Sequence, residues 1–198
     1  MSQTRQTPIQ LNPPQTLATD EALNAAREII AALDREAIGW ALAGGVAMHL
    51  YGYARATQDV DLLAERLPNL ASSQRLSFGG ESYTVTVGDK TVPVDVIVRD
   101  DFFRSFYEAA LRDAFTSAEG WRVLTPEWLA ILKFQAGRSK DQLDLLWLLS
   151  RPGLVERHLM LQHLTEILGE AGAQMALRGI TDFFQRADAM QASDRENQ

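Results

Sequence analysis

Asp59 and Asp61, separated only by Val60 in the run Thr57-Gln58-Asp59-Val60-Asp61-Leu62-Leu63, have the clearest chemistry in the chain. Strand side chains alternate between faces, so on a strand both carboxylates project from one face while Val60 and Leu62 enter the core. That spacing is about 6 to 7 Å, and at an effective dielectric near 20 two unit charges repel there by roughly 2 to 3 kcal/mol. A cation between the acids offsets the repulsion. Oxygen-only ligands suit magnesium or manganese, which share their remaining positions with substrate phosphates. Asp95 is a third acid in a suitable place. Residues 83–87 and 91–98 have the pattern of two strands around Gly88-Asp89-Lys90. In the second strand Val92, Val94, Val96 and Val98 share one parity, and Asp95 falls on the other. Pro93 cannot donate to a ladder, so the strand starts near it or leaves that side unpaired. Laid beside the Asp59 strand, the hairpin brings Asp95 to the first two acids. Three converging carboxylates are what two-metal phosphoryl transfer requires: one ion lowers the pKa of the attacking hydroxyl, and the other neutralises the leaving phosphate.

Other residues can serve the same chemistry. Gly44-Gly45 follows a short apolar run and precedes a helix, where backbone N–H groups can cradle phosphate; a tight turn explains the same pair. Arg55 either meets phosphate or pairs with a surface acid. Asp144 lies among Leu143, Leu145, Leu146, Trp147, Leu148 and Leu149, an apolar run that implies a buried helix, so its carboxylate needs a partner. Lys140, four residues earlier, and Lys133, on the preceding helix, are the two candidates. Asp141 falls in a first helical turn, where an acid complements the dipole. A structural salt-bridge network is the alternative to a nucleotide-facing role for this group. The net charge of −7 argues against broad adhesion to nucleic acid. A local basic groove of Arg55, Lys133, Arg138 and Lys140 stays compatible with it.

Gly44-Gly45 opening a helix, Arg55 and Thr57 ahead of Asp59-Val60-Asp61, and Asp95 on a later strand together resemble the DNA polymerase beta-like nucleotidyltransferase superfamily. Lys133, Arg138 and Lys140-Asp141-Gln142-Leu143-Asp144-Leu145 resemble the helical motif of its AbiEii-type toxin branch, nucleotidyltransferases of bacterial toxin–antitoxin systems. The likeness spans residues 23–149. It implies transfer of a nucleoside monophosphate from a nucleoside triphosphate (NTP) to a hydroxyl acceptor, with release of pyrophosphate. The implied catalytic set is Asp59, Asp61, Asp95 and Lys133, with Mg2+ or Mn2+ on the three aspartates and Asp95 helping to deprotonate the acceptor. The implied nucleotide-binding set is Gly44, Gly45, Arg55, Lys140, Asp141 and Asp144. tRNA or another RNA is one acceptor that the likeness implies, and a cognate antitoxin protein is the implied partner. Val46 stands where many members of the superfamily carry a serine, which removes one hydroxyl from the phosphate turn. Two alternatives stand beside this reading: a small-molecule, aminoglycoside-type nucleotidyltransferase, and an inactive nucleotide-binding or interaction module.

The elements that must position these residues follow from period and punctuation. The expected class is α/β (α+β), a small mixed-sheet core over residues 20–124 with a helical C-terminal region over 125–190. Residues 1–19 read as a flexible arm and 191–198 as a frayed tail. The core is expected to contain helices over 20–37, 46–53 and 101–114, with strands over 40–43, 59–64 and 121–124 besides the hairpin. Residues 67–78 have no clear period. Thr125-Pro126 signals a helix start, Ser139 with Gln142 fits a capping box, Arg151-Pro152-Gly153 stops that helix, and Gly169 breaks the apolar run beyond it. Absence of cysteine removes disulfides and thiolate zinc sites, and the three histidines lack zinc spacing. No Gly-x-Ser-x-Gly elbow is present. With no apolar signal core and no membrane-length stretch, a cytoplasmic location is expected.

Overall fold

Seven strands form one mixed sheet in the computed structural model, which describes residues 17–55 and 57–196. The strands are β1 (Trp40–Leu42), β2 (Val60–Ala64), β3 (Gln74–Arg75), β4 (Glu81–Val87), β5 (Lys90–Ile97), β6 (Phe115–Thr116) and β7 (Arg122–Val123). Their spatial order is β3-β4-β5-β2-β1-β7-β6. The β2–β5 and β1–β7 pairs are parallel and the others antiparallel. The expected α/β architecture is therefore present.

The alternation in β2 and β5 decides what each sheet face carries. Val60 and Leu62 lie opposite Val94 and Val96, and all four are completely buried. Helix α1 (Leu17–Arg35) packs on β2, β4 and β5. Its buried side chains Ala22, Ala25, Ala26, Ile29, Ile30 and Leu33 recur at the three- and four-residue spacing of one helical face. Each fully buried Leu or Ile contributes about 1.5–3 kcal/mol relative to exposure, so this face anchors the sheet. The opposite parity carries Asp61, Leu63, Asp95 and Ile97. It looks toward α3 (Arg104–Asp113) and α4 (Pro126–Ala136), where Leu63, Ile97, Tyr107, Leu129 and Leu132 border one small cavity. Pro93 lies one residue before the stretch of β5 that pairs with β2.

The helical region joins the core through hydrogen bonds at Leu124, one from its own backbone and one from a side chain. Leu124 N donates to Leu42 O at 3.1 Å, and the Tyr51 hydroxyl donates to Leu124 O at 2.6 Å. Thr125 caps α4 by accepting from Trp128 N, with Pro126 in the first turn. Gly137 ends α4 in the left-handed region at φ 64°. Helices α5 (Ser139–Ser150) and α6 (Arg157–Glu196) pack on α4 and on each other.

Several local expectations change. Helix α1 starts at Leu17, so residues 17–19 belong to it, and residues 1–16 of the expected arm lie outside the described residues. Helix α2 (Gly44–Leu50) begins at the first glycine rather than after the pair. The capping box on Ser139 does not form, because Arg138 occupies the cap position and Ser139 is already helical. The Gln142 side chain instead donates to Gly137 O at 3.0 Å. Gly169 interrupts α6 as expected, with φ 70° and ψ 172°. Residues 191–196 continue the helix, and Gln191 donates to Leu149 O at 3.2 Å. Strands β3 and β6 are two residues long, too short for alternation to register. Among the described residues no helix is long and apolar enough to cross a membrane.

Candidate active site

The parallel register of β2 and β5 sets Asp61 directly beside Asp95, and Asp59 stands one residue ahead of β2. Oxygen atoms of the three carboxylates all lie within 4.8 Å of one another, and each residue is half-buried. Two hydroxyls steady the group. Thr57 Oγ1 donates to Asp59 O at 3.1 Å and to Asp59 Oδ1 at 3.3 Å. Ser82 stands opposite Asp95 across the β4–β5 ladder, where its hydroxyl favours the charged form of the Asp95 carboxyl.

Crowding shows in the titration of the group. Burial, reinforced by the charge of Asp59 and opposed by Lys133, pushes Asp61 up to about 6. Burial also raises Asp95, with the Ser82 hydroxyl acting against it and Asp59 adding to it. A cluster of hard oxygen ligands whose charges disfavour one another suits a divalent cation bound by few protein groups, so Asp59, Asp61 and Asp95 fit magnesium or manganese.

Because the native Asp61 pKa lies above its ordinary value of 3.8, the metal-free native state binds more protons than the unfolded chain between those values. Stability therefore falls as pH rises through that window, by at most about 3 kcal/mol above pH 6. In chelator, Asp61→Asn should gain stability over the parent as pH rises from about 4 to 6 and hold that advantage above it, and magnesium should narrow the gap. Melting curves of the two proteins that stay parallel across that range would sink the assignment.

The glycines serve the acids first. A Cβ on Gly44 would lie 1.6 Å from Asp61 Oδ2, and the residue has a φ of 54°, so both the carboxylate and the backbone require glycine there. A Cβ on Gly45 would meet Thr57 Oγ1 at 2.4 Å and an Arg55 nitrogen at 3.3 Å. Ala43 N donates to Asp61 O at 2.9 Å, which fixes the turn against β2.

A cavity of about 320 Å³ opens over the acids. Of the residues expected to act, Gly45, Arg55, Asp59, Asp61, Asp95, Lys133 and Lys140 line it, together with Arg138. Gly44 and Asp141 border the smaller cavity that Asp61 also lines, and Asp144 lines neither cavity. The cation side is an ionic network. Lys133 Nζ stands 2.7 Å from Asp144 Oδ2 and 2.9 Å from Asp141 Oδ1, with both acids 1% exposed. Arg55 donates to Asp144 at 2.9 Å, and Arg138 to Asp141 at 2.5 Å. The partners of Asp144 are thus Lys133 and Arg55. The helical neighbour Lys140 is not among them, because its exposed side chain extends to the cavity. Arg55 pairs with a buried acid rather than a surface one. Burial alone would raise Asp141, but hydrogen bonds from Arg138 and Lys133 outweigh it and hold this carboxyl below the ordinary range.

Five further residues of the lining were not anticipated: Phe78, Ile97, Arg99, Phe103 and Tyr107. Arg99 continues the parity of Asp95 and Ile97 past the end of β5, and Phe103 and Tyr107 stand four residues apart beside α3; both signals are present in the sequence. Phe78 is placed by Gly79 and Gly80. Cβ atoms there would lie 2.5 Å from Val98 O and 2.1 Å from Val96 O, so only glycines let this loop settle on β5.

Fold and site together define a mixed α/β protein with a strand-borne carboxylate triad under a cation-lined cavity. No protein-family model matches the chain, and no curated protein matches it. Among solved structures the chain is similar to an antigenic nucleotidyltransferase-like protein from Paracoccidioides brasiliensis, at 15% identity and a TM-score of 0.46 over 87% of this chain and 94% of that one. It is also similar to the antibiotic-resistance factor ANT(2'')-Ia, at 14% identity and a TM-score of 0.38 over 91% of this chain and 100% of that one.

Proposed function

We propose that the chain is a metal-dependent nucleotidyltransferase that moves a nucleoside monophosphate from an NTP to a hydroxyl acceptor. The observation that supports this most is the triad, with Asp61 and Asp95 in register on neighbouring strands and Asp59 completing a set within 4.8 Å. Asp59, Asp61 and Asp95 would hold magnesium or manganese, which supplies Lewis-acid charge to the phosphates and acidifies the attacking hydroxyl.

The chain's own groups divide the remaining work. Thr57 and Ser82 hold the carboxylates in orientation. Asp95, raised above its ordinary value, is suited to take the proton of the acceptor hydroxyl. Lys133 spends two of its three N–H donors on Asp141 and Asp144, which leaves one for a phosphate oxygen in the cavity it lines. Lys140 is exposed and, among the described residues, holds no ion pair, so no protein carboxylate competes with a phosphate for it. The Gly45 backbone closes the phosphate end.

The resemblance of Lys133, Arg138 and Lys140-Asp141 with Asp144 to the AbiEii-type motif extends this reading to a cytoplasmic toxin of a toxin–antitoxin pair, with RNA as acceptor and an antitoxin protein as partner. Purified protein given magnesium, each labelled NTP in turn and total RNA should place label on RNA. Label on an aminoglycoside instead would make the acceptor a small molecule. No transfer to either, with NTP still bound, would leave a nucleotide-binding module and reject the enzyme.

A further inference from the structure

We propose that Phe78, which lines the cavity together with Phe103 and Tyr107, stacks on a planar heteroaromatic ring, the nucleobase of the donor NTP or of the acceptor. The inference rests on the nucleotidyltransferase reading and specifies where that site takes its base. The lining of the cavity is of two chemical kinds: carboxylates and the cations Lys133, Arg138 and Lys140, which suit metal and phosphates, and the apolar rings of Phe78 and Phe103, which offer nothing to a phosphate. A nucleotide likewise combines a charged chain with a flat ring.

The rings of Phe103 and Tyr107 are held in place before anything binds. The Arg99 guanidinium lies 5.3 Å from the ring centres of both Phe103 and Tyr107. Its side chain is 10% exposed and donates paired hydrogen bonds to Asp101. Phe103 also packs against the buried Phe106 at 6.5 Å. Phe78 is different. It is 40% exposed, on a loop pinned to β5 by Gly79 and Gly80. An exposed ring on a loop packed closely on the sheet, beside rings held by Arg99, can stack on a base with little reorganisation, and stacking is tolerant of base identity.

The test compares ligands with and without a base, by calorimetry in magnesium. The probes are the four common NTPs, inorganic tripolyphosphate, and a short single-stranded oligoribonucleotide with a 5′-hydroxyl. At least one NTP should bind the parent about tenfold more tightly than tripolyphosphate. Phe78→Ala should abolish that advantage and leave tripolyphosphate affinity unchanged. Phe102→Ala, which removes a 77% exposed ring that does not line the cavity, should change neither. If Phe78→Ala spares NTP affinity but weakens the oligoribonucleotide about tenfold, Phe78 stacks on the acceptor's base. If Phe78→Ala changes neither ligand while NTP and tripolyphosphate bind equally well, Phe78 stacks on no base and the phosphate site stands. Failure of the parent to bind NTP or tripolyphosphate at all would overturn the nucleotidyltransferase reading and base stacking with it.

Discussion

Asp61→Asn should fold normally and transfer nucleotide at least about a thousandfold more slowly than the parent. The exchange keeps the shape of the side chain and removes the charge that stands in register with Asp95. A divalent ion stabilises transition-state charge by several kcal/mol, and about 4 kcal/mol is a thousandfold in rate. Asp59→Asn and Asp95→Asn should behave alike, since all three carboxylates belong to one set. A second readout separates lost metal from a damaged fold: magnesium or manganese should raise the melting temperature of the parent and not that of the variants. In cells, a parent chain that slows growth should become harmless as the Asp59→Ala, Asp61→Ala double variant at matched expression. Undiminished transfer by Asp61→Asn in the presence of magnesium would remove the metal site from the mechanism.

Lys133→Ala should cost about 3 kcal/mol of folding stability in addition to any effect on transfer. Its ammonium lies between two carboxylates that are 1% exposed, and removing it leaves both with reduced compensation. Breaking a buried ion pair by deleting one partner costs about 3–5 kcal/mol. The lower end applies here, because Arg55 still reaches Asp144 and Arg138 still reaches Asp141. Urea unfolding of the parent, Lys133→Ala, Asp141→Asn and the double variant would measure the coupling directly. Asp141→Asn should recover part of the loss in the Lys133→Ala background. A loss below about 0.5 kcal/mol, the range of ordinary surface substitutions, would show that the lysine serves the ligand alone.

The triad was legible because it depends on a period of two. Asp59 and Asp61 share a parity by their spacing, and the valines of β5 assign Asp95 to the other face from them. The ionic network was only half legible. Apolar neighbours showed that Asp144 needed a partner, and of the two candidates Lys133 reaches it while Lys140, named by helical spacing, does not; Arg55 reaches it from a distant element that spacing could not indicate. The expected cap at Ser139 failed because the backbone turns into the helix one residue earlier, a choice that Arg138 makes without any side-chain cap. Phe78 was out of reach for a different reason: its place depends on two glycines meeting carbonyls of a strand that comes later in the chain. The last turns of α6 looked frayed from composition and are helical because Ala187 is buried and Gln191 bonds Leu149.

The Arg55–Asp144 bridge joins residues 89 positions apart, so the cation side of the cavity is assembled from distant parts of the chain. The three carboxylates need only β2, β5 and the residue ahead of β2. Arg55, Lys133 and Arg138 are instead held by Asp141 and Asp144 of α5. A chain that ended ahead of α5 would keep all three acids of the cluster and lose the two carboxylates that hold the cations of the same cavity in place.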